Sequence, residues 1–275
     1  MDSSLKNQIN FYIEFKEWYF KIIKDFGFEY QKDFEARDYL SGILNQKGKI
    51  WNLERILYSF SKIFEEKKII MIYGCGPSLE ETVDILLREF GEEFFKNCIN
   101  FAADGASILL REKGIPLDAI FSDLDGITKT EINYADFLVI HAHGDNLERI
   151  AYFKEYILNS PKIIGTTQVD PLENMVNPGG FTDGDRILYF IRSLLQPHNT
   201  LYLIGMDFDD IIGKYSKPSL TEHHQGTPSK LKKLRYAVKL IEWLSERIDN
   251  DIFFLNSKSA SKRFKYLTIE DFLKK

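Results

Sequence analysis

Two aspartates one residue apart are the side chains of this chain best suited to bind a metal ion. Asp123 and Asp125 follow an apolar run that begins at Ile120, and Gly126 comes directly after them. Side chains alternate in an extended segment with a period of two, so we expect both carboxylates to lie on the same side. Such carboxylates hold Mg²⁺, which completes its coordination with water and phosphate oxygens. The plainer alternative is a solvated turn at a strand end.

Further acidic residues follow other strand-like runs. Asp104 comes after the apolar run 99–103, and Asp145 comes shortly after the run 137–140. Ligands of open parallel sheets bind in the crevice outside the carboxyl ends of the strands, so acids at several strand ends are expected to converge. Together with the aspartate pair, these carboxylates would repel one another strongly unless a cation balanced them. The pattern therefore predicts a metal site.

Two glycine-rich loops are candidate ligand-binding segments. Residues 74–78, Gly-Cys-Gly-Pro-Ser, are expected to present backbone N–H groups to phosphate at a helix N-terminus. They match neither a P-loop nor the full dinucleotide fingerprint, because Leu79 stands where the third glycine would be. Residues 177–186 form a second loop that leads into a helix, with Thr182 or Asp183 as the N-cap.

Imidazole and basic side chains complete the set of candidates. His141 and His143 share one face of their segment and can act as metal ligands, proton acceptors or phosphate contacts, although histidines at strand ends more often serve as hydrogen-bonded linkers. A late basic stretch can neutralise a polyphosphate or simply solvate a helix face. It comprises Lys214, Lys217, Lys230, Lys232, Lys233 and Arg235.

Alternating apolar runs and amphipathic segments from Lys67 onward are typical of βαβ units. We predict an α/β fold with a Rossmann-like, open, mostly parallel sheet, helices on both faces and an N-terminal helical cap, since the first 66 residues repeat apolar side chains at helical spacing. The predicted strands are residues 69–73, 99–103, a run from 120, 137–140, 163–164, 201–204 and a last one at 252–255. The predicted helices include residues 78–90, 107–113, 147–158, 184–195 and 230–247.

The predicted organisation is a helical region at 1–66, an α/β catalytic domain at 67–256 and a C-terminal tail at 257–275 that packs on the core. Because the candidate acids all lie beyond the first region, we expect that region to contribute more to stability than to chemistry.

Composition and charge limit the partners and the compartment. The net charge of -5 argues against a general nucleic-acid binder. Cys75 and Cys98 give neither a disulfide framework nor a zinc site. No apolar stretch reaches the roughly 18 residues of a spanning helix, and the N-terminus lacks signal-peptide features. We expect a soluble cytoplasmic protein with small-molecule substrates and no nucleic-acid or membrane partner, and the sequence leaves homo-oligomer formation open.

Seven sequence blocks follow one another in a fixed order between about Ile69 and Leu244. They are Gly74-Cys75-Gly76-Pro77-Ser78-Leu79, Ala103-Asp104-Gly105-Ala106, Ser122-Asp123-Leu124-Asp125-Gly126, His141-Ala142-His143-Gly144-Asp145-Asn146, Gly165-Thr166-Thr167-Gln168, Gly179-Gly180-Phe181-Thr182-Asp183-Gly184-Asp185-Arg186 and Gly205-Met206-Asp207-Phe208. This series resembles the archaeal 6-hydroxymethyl-7,8-dihydropterin pyrophosphokinase family. More distantly, the second and third blocks are similar to those of thiamine pyrophosphokinases, whose acids bind Mg²⁺ and ATP.

The resemblance implies an enzyme that transfers the β,γ-diphosphate of ATP to the hydroxymethyl group of a reduced pterin and releases AMP. Such a reaction belongs to pterin biosynthesis of the tetrahydromethanopterin or folate type. The alternatives are a thiamine-pyrophosphokinase-like activity, a nucleotide-sugar glycosyltransferase, in which Asp-x-Asp also holds a metal-bound nucleotide diphosphate, and a non-catalytic nucleotide-binding module.

Matching positions assign roles to individual residues. The resemblance implies Mg²⁺ and, through it, the triphosphate of ATP at Asp104, Asp123, Asp125 and Asp145. It implies that His143 orients the nucleophile or a phosphate oxygen, with Asp123 and Asp125 as the other catalytic residues. Contacts to ATP or the pterin are expected at Gly74, Gly76, Ser78, Thr166, Asp183, Asp185, Asp207, Lys214 and Lys230. The N–H donors of a pterin suit a carboxylate, for which Asp183, Asp185 and Asp207 are alternatives.

Overall fold

A parallel β-sheet forms the centre of the protein. The computed structural model describes residues 4–48 and 51–274 of the chain. The main-sheet strands are β1 (Ile69–Tyr73), β2 (Ile99–Ala103), β3 (Ala119–Ser122), β4 (Phe137–Ala142), β5 (Ile163–Thr167), β6 (Thr200–Ile204), β9 (Ile252–Leu255) and β10 (Lys265–Leu267). A separate antiparallel pair consists of β7 (Ile211–Ile212) and β8 (His224–Gln225).

The strand order places a topological switch point between β1 and β6. The order is β10-β9-β6-β1-β2-β3-β4-β5, and each neighbouring pair is parallel. The chain adds β2 to β5 on one side of β1 and then returns to place β6 on the other, with Tyr73 opposite Ile204. In open α/β sheets, ligands bind outside the carboxyl ends of the strands at such a point.

Helices cover both faces of the sheet. They are α1 (Leu5–Ile9), α2 (Tyr12–Phe26), α3 (Tyr30–Asn45), α4 (Leu53–Glu66), α5 (Leu79–Phe90), α6 (Glu92–Lys96), α7 (Ala106–Glu112), α8 (Lys129–Ile132), α9 (Leu147–Tyr152), α10 (Lys154–Asn159), α11 (Asp183–Ile191), α12 (Pro228–Ser245) and α13 (Ile269–Leu273). In β1, Ile70 and Ile72 face the core beneath α2, α4, α11 and α12, whereas Met71 and Tyr73 face the core beneath α3, α5 and α7. The predicted α/β class and the helices on both faces are confirmed. Within the described residues, no helix is long and apolar enough to cross a membrane.

The N-terminal helices protect the open edge of the sheet at β5. Helices α3 and α4 contact β5 from opposite faces. The indole Nε1 of Trp51 donates a hydrogen bond to the carbonyl of Ile163 over 3.1 Å. The ammonium of Lys47 donates to the carbonyls of Ile157, Leu158 and Ser160. An exposed parallel edge would leave its backbone groups unpaired. The Trp51 contact covers the start of the β5 edge, Val176 pairs with its later residues, and the Lys47 contacts tie the N-terminal helices to the end of α10.

The structure differs from the sequence-based prediction at several places. The predicted helix 147–158 is interrupted at Phe153 and forms α9 and α10. The strand at 252–255 is not the last, because β10 follows and pairs with it. Strand β10 has only three residues and lies among charged neighbours, so it is too short to give a periodic signal in the sequence. Its alignment with β9 depends on Phe264, whose ring stacks on the ring of Phe254 with the centroids 4.4 Å apart. The polar stretch 209–229 contains β7, β8 and a short 3₁₀ helix, Lys214–Ser216.

Substitution of Phe60 should test how strongly α4 is anchored. Its fully buried ring packs against Phe101, Phe137 and Phe190 at 5.1–5.6 Å. We expect Phe60→Ala to lower the free energy of unfolding by about 3–5 kcal/mol, because it leaves a cavity between helix and sheet. Tyr58 lies on the same helix with its side chain 56% exposed. Urea unfolding of Tyr58→Ala should show a change within about 0.5 kcal/mol, and similar losses in both variants would contradict this packing argument.

Candidate functional site

A large cavity lies at the carboxyl edge of the sheet. Its volume is about 660 Å³, and it is lined by the loops that follow β1, β2, β3, β4, β5 and β6. The connection between α2 and α3, the segment at the start of α11 and the beginning of α12 complete the wall. The predicted convergence of strand ends is therefore present in the structure.

Three carboxylates form a compact group within this cavity. Ligand atoms of Asp104, Asp123 and Asp125 all lie within 4.8 Å of one another. Asp104 is buried, whereas Asp125 is exposed at the cavity mouth. Asp145 was predicted to join this group, but it is exposed and lies outside it while still lining the cavity. Its loop turns away after β4, because Gly144 is bound to Asp33 of α3.

Asp104 is held in place by the strand next to it. Its carboxylate Oδ1 accepts hydrogen bonds from the Ser122 hydroxyl at 2.5 Å and from the Gly126 N–H at 3.2 Å. The backbone of Asp104 has a φ of 47°, a left-handed value that residues other than glycine rarely adopt. A Cβ atom on Gly126 would lie 1.8 Å from Asp104 Oδ2, so only glycine fits beside this carboxylate.

The aspartate pair is brought together by a turn and not by strand alternation. Strand β3 ends at Ser122, and Leu124 has a φ of 73°, so the segment is not extended as predicted. The physical reason is the side chain of Leu124, which is fully buried in the core and requires the backbone to turn. Asp123 Oδ1 accepts a hydrogen bond from the Asp125 N–H at 3.1 Å. The carboxylates of Asp123 and Asp125 nevertheless lie together with that of Asp104.

His143 positions Asp123. The Asp145 N–H donates to Nδ1 of His143 at 3.3 Å, so the other ring nitrogen, Nε2, is the donor to Asp123 Oδ2 at 3.1 Å. Burial is the largest single influence and raises the pKa of Asp123, but the hydrogen bond and charge of His143, the Asp125 N–H and the charge of Lys233 together outweigh burial and lower that pKa to about 2. Asp123 is therefore ionised near neutral pH, and both nitrogens of His143 are already engaged.

Two further carboxyl groups are strongly affected by burial. Burial raises the pKa of Asp104 well above its ordinary value, and the negative charges of Asp183 and Asp123 raise it further. Burial likewise raises the pKa of Asp183, with Asp123 again contributing. A cation at the group would favour the ionised forms of these acids, since an opposite charge nearby lowers a carboxyl pKa.

The loop after β1 does not offer its N–H groups to a ligand as predicted. The amides of Gly74 and Gly76 donate to the carbonyls of Ile204 and Gly205, and the Ser78 amide donates to Asp207 Oδ2 at 2.8 Å. The loops after β1 and β6 approach so closely that a Cβ on Gly74 would lie 2.6 Å from the Gly205 carbonyl oxygen. These amides are therefore hydrogen-bonded between the two loops at the switch point and are not available to a ligand. The sequence could not show this, because the partners come from a distant part of the chain.

The three carboxylates proposed as alternatives for pterin recognition differ in their partners. Asp185 accepts from the amides of Phe181 and Thr182 and forms the capping box of α11, which confirms Thr182 as its N-cap. Asp207 accepts from the amide and the hydroxyl of Ser78. Asp183 lines the cavity, and its side chain forms no hydrogen bond with any residue in 4–48 or 51–274. The structure thus separates one accessible carboxylate from two structural ones.

Thr166 lies beneath the cavity. It is buried, outside the lining of the large cavity, and its Oγ1 lies 3.0 Å from Nδ1 of His141. The Thr166 hydroxyl donates to the Ile140 carbonyl, so Oγ1 accepts from His141 and supports that ring. Thr166 is therefore not placed to contact a nucleotide in this arrangement.

The basic side chains fall into paired and unpaired groups. Lys214 forms an ion pair with Glu80 at 2.7 Å outside the cavity lining, and Lys217 pairs with Asp125 at 3.3 Å. Lys230 and Lys233 line the cavity at the start of α12, and neither forms an ion pair with a described residue. Free ammonium groups beside an acidic group suit a ligand that carries negative charge.

Sequence reasoning missed two buried charges at the site. Asp33 of α3 lines the cavity, and its carboxylate accepts hydrogen bonds from the Tyr19 hydroxyl and the Gly144 amide at 2.6 and 2.8 Å. It shares a helix face with Ala36 and Leu40, so its helical spacing was a usable signal. Arg186 also lines the cavity at 6% exposure, just before the apolar run of α11 that begins at Ile187. The expectation that residues 1–66 add no acid to the site is corrected by Asp33.

Comparison with known proteins gives one consistent family. Residues 47–213 match the family model described as 6-hydroxymethylpterin diphosphokinase MptE-like. A protein of Methanocaldococcus jannaschii named 6-hydroxymethyl-7,8-dihydropterin pyrophosphokinase is 38% identical over 249 residues, which cover 86% of this chain and 98% of that protein. A protein of the same name from Pyrococcus furiosus is 36% identical over 84% of this chain and 93% of its own length.

A solved structure was also found. A MAf glycosyltransferase from Magnetospirillum magneticum AMB-1 aligns with a TM-score of 0.43 and 13% identity, over 74% of this chain and 34% of that chain. The sequence relatives align instead over nearly their full lengths, and their family model spans the loops after β1 to β6 that line the cavity. The chain belongs to the 6-hydroxymethylpterin diphosphokinase MptE-like family.

Proposed function

We propose that this protein transfers the diphosphate of ATP to the hydroxymethyl group of 6-hydroxymethyl-7,8-dihydropterin in a Mg²⁺-dependent reaction. The hydroxyl oxygen attacks the β-phosphorus and loses its proton to water, the bond from the β-phosphorus to the α,β-bridging oxygen breaks, and AMP leaves with the electron pair of that bond on its phosphate oxygen. The product is a pterin diphosphate ester for pterin-cofactor biosynthesis of the tetrahydromethanopterin or folate type. Family membership supports the reaction class.

The observation that carries this proposal is the group formed by Asp104, Asp123 and Asp125 inside the large cavity. Oxygen ligands of this kind fit Mg²⁺, and the burial of Asp104 makes an unbalanced cluster costly. Bound at these carboxylates, Mg²⁺ would supply positive charge to the phosphate oxygens of ATP. His143 would keep Asp123 ionised and oriented, which is a positioning role in place of direct contact with the nucleophile.

The lysines supply the remaining charge. ATP carries more negative charge than one divalent cation neutralises, and positioning with electrostatic stabilisation provides most of the catalysis in phosphoryl transfer. Lys230 and Lys233 line the cavity without ion-pair partners among the described residues, so neither must break an ion pair to contact phosphate, and the Lys233 ammonium lies over the rings of Phe28 and Phe181 at 5.7 and 5.9 Å. Lys217 is close to the same place but is bound to Asp125.

The direct test is incubation of the purified protein with ATP, Mg²⁺ and 6-hydroxymethyl-7,8-dihydropterin. We expect stoichiometric formation of AMP and pterin diphosphate, measured by chromatography. Formation of thiamine diphosphate, transfer of a sugar from a nucleotide sugar, or nucleotide binding without turnover would each replace the proposal with one of the alternative functions.

Removing one carboxylate charge should disable the metal site while leaving the fold intact. Loss of an outer-shell partner of a metal costs about 10–100-fold in metal affinity. We expect Asp123→Asn and Asp125→Asn each to raise the Mg²⁺ concentration needed for activity by more than that, because each removes a direct ligand. Their thermal unfolding midpoints should stay near wild type. Asp249→Asn, at an exposed position beyond the end of α12, is the matched control and should retain the wild-type Mg²⁺ dependence. Near-normal activity of either variant at limiting Mg²⁺ would exclude that residue as a ligand.

Neutralising the free lysines should weaken ATP binding. We expect Lys230→Gln and Lys233→Gln each to raise the KM for ATP by about tenfold, as loss of a charge-assisted hydrogen bond would. The KM for the pterin should change little in Lys230→Gln. Lys232→Gln is the control, because Lys232 lies on the same helix, α12, but forms an ion pair with Asp25 of α2. Unchanged ATP kinetics in the double variant would show that these lysines only solvate the helix.

A further inference from the structure

One carboxylate of the cavity is free to recognise a ligand. Asp183 lines the cavity at the first residue of α11, and none of the described residues donates a hydrogen bond to its side chain. Asp185 and Asp207, the other two candidates, have their oxygens occupied by backbone amides and hydroxyl groups. Asp33 is likewise occupied by Tyr19 and Gly144. Among these four acids, only Asp183 has no internal hydrogen-bond partner among the described residues, so both of its oxygens are open to a ligand.

An unpaired donor lies on the same face of the same helix. Arg186 is three residues after Asp183, a spacing that places both side chains on one face of α11. Its Nη2 donates to the Gln168 side chain and the Phe181 carbonyl, whereas its buried Nη1 has no partner in the described parts of the chain. A buried guanidinium nitrogen without a partner is uncommon, since unsatisfied polar groups cost free energy inside a protein. It is therefore a donor available to a ligand.

Aromatic rings flank these polar groups. Phe28, from the connection between α2 and α3, and Phe181, from the loop before α11, both line the cavity. Each ring packs against Phe26, with centroid distances of 5.1 and 5.4 Å. Flat heteroaromatic ligands bind well where aromatic side chains accompany a few well-placed polar groups.

The wall formed by the N-terminal helices has a fixed position relative to the acidic group. Asp33 of α3 holds the Gly144 amide, and the neighbouring His143 holds Asp123. The Tyr19 hydroxyl connects α2 to the same carboxylate of Asp33. Helix α3 is thus joined to Asp123 through the Asp33–Gly144 hydrogen bond, the peptide unit between Gly144 and His143, and the His143–Asp123 hydrogen bond. A ligand that binds against this wall would therefore have a fixed position relative to the carboxylates.

We propose that these residues form the pterin subsite, an inference that rests on the proposed function. The 2-amino and N3–H groups of the pterin donate to Asp183, and its 4-oxo group accepts from Nη1 of Arg186. The ring lies against Phe28 and Phe181, beside the Lys233 ammonium, which lies 5.7 and 5.9 Å from the centroids of these two rings, and the hydroxymethyl group is directed toward Asp123 and Asp125. ATP then occupies the side formed by Lys217, Lys230 and the loops after β1 and β6, with Lys233 between the two substrates. The N-terminal helices therefore contribute to substrate recognition as well as to stability.

Binding of the pterin without turnover tests this subsite. Titration of 6-hydroxymethyl-7,8-dihydropterin is followed by calorimetry, with the protein alone and with Mg²⁺ plus the non-transferring analogue α,β-methylene-ATP. We expect Asp183→Asn to raise the pterin Kd by about 10–100-fold through loss of charge-assisted hydrogen bonds. Phe28→Leu should raise the Kd by about threefold to tenfold through loss of ring contact. Neither change should alter the Kd of the ATP analogue or the Mg²⁺ requirement.

Matched variants separate this effect from a loss of folding. Phe20→Leu changes a 43% exposed ring on α2, and Asp170→Asn changes an exposed carboxylate, and both should bind the pterin as wild type does. Thermal unfolding midpoints are compared for all four variants. Wild-type pterin binding that survives unchanged in Asp183→Asn and Phe28→Leu overturns the subsite alone. If Asp183→Asn needs more Mg²⁺ while its pterin binding is unchanged, the proposed subsite is overturned, because Asp183 is then a metal ligand. Wild-type protein that binds no pterin under either condition overturns the proposed function together with the subsite.

Discussion

Repulsion between carboxylates at one edge of the sheet is the constraint around which the candidate site is built. Parallel pairing brings the loops after β2 and β3 side by side, and with them Asp104, Asp123 and Asp125. Such charges cannot be buried together without protons, hydrogen bonds or a cation. The protein uses hydrogen bonds from Ser122, Gly126 and His143 to hold two of these acids, and burial raises the pKa of Asp104. A divalent cation would relieve the remaining repulsion, which links metal binding to the geometry of the sheet.

Packing at the switch point explains why phosphate contacts are expected from lysines and not from a glycine-rich loop. The loops after β1 and β6 satisfy each other, since the Gly74 and Gly76 amides bind carbonyls of Ile204 and Gly205. Gly205 adopts a φ of 64°, and a Cβ there would lie 2.5 Å from the Gly74 carbonyl oxygen. These glycines therefore permit two backbones to touch. Positive charge then has to come from α12 and the segment before it, where Lys217, Lys230 and Lys233 line the cavity.

The N-terminal helices join stability to the candidate site. Trp51 and α4 protect the β5 edge and the core, while α3 carries Asp33 into the cavity wall. Asp33 connects Tyr19 of α2 with the loop that carries His143, so a shift of these helices would be transmitted to Asp123. This arrangement makes the first 66 residues part of the same structural unit as the acidic group, even though no predicted site residue lay in them.

The sequence by itself determined the local elements and the edge at which the acids lie. Short apolar runs located β1, β2 and β9 with their observed limits, and Thr182 and Asp183 were identifiable as the candidate N-caps of α11, because strand-forming runs and capping depend on neighbouring residues. Parallel pairing then required Asp104, Asp123 and Asp125 to meet. Only the tertiary structure decided which polar groups remained free. Asp145 lies outside the group formed by Asp104, Asp123 and Asp125, and Asp207 and Asp185 are hydrogen-bonded to neighbouring amides. Asp183 has no hydrogen-bond partner among the described residues, and Asp33 lines the cavity from α3. Partners so far apart in the chain, such as Asp33 and Gly144, are chosen by packing in three dimensions, for which a single sequence carries no periodic signal.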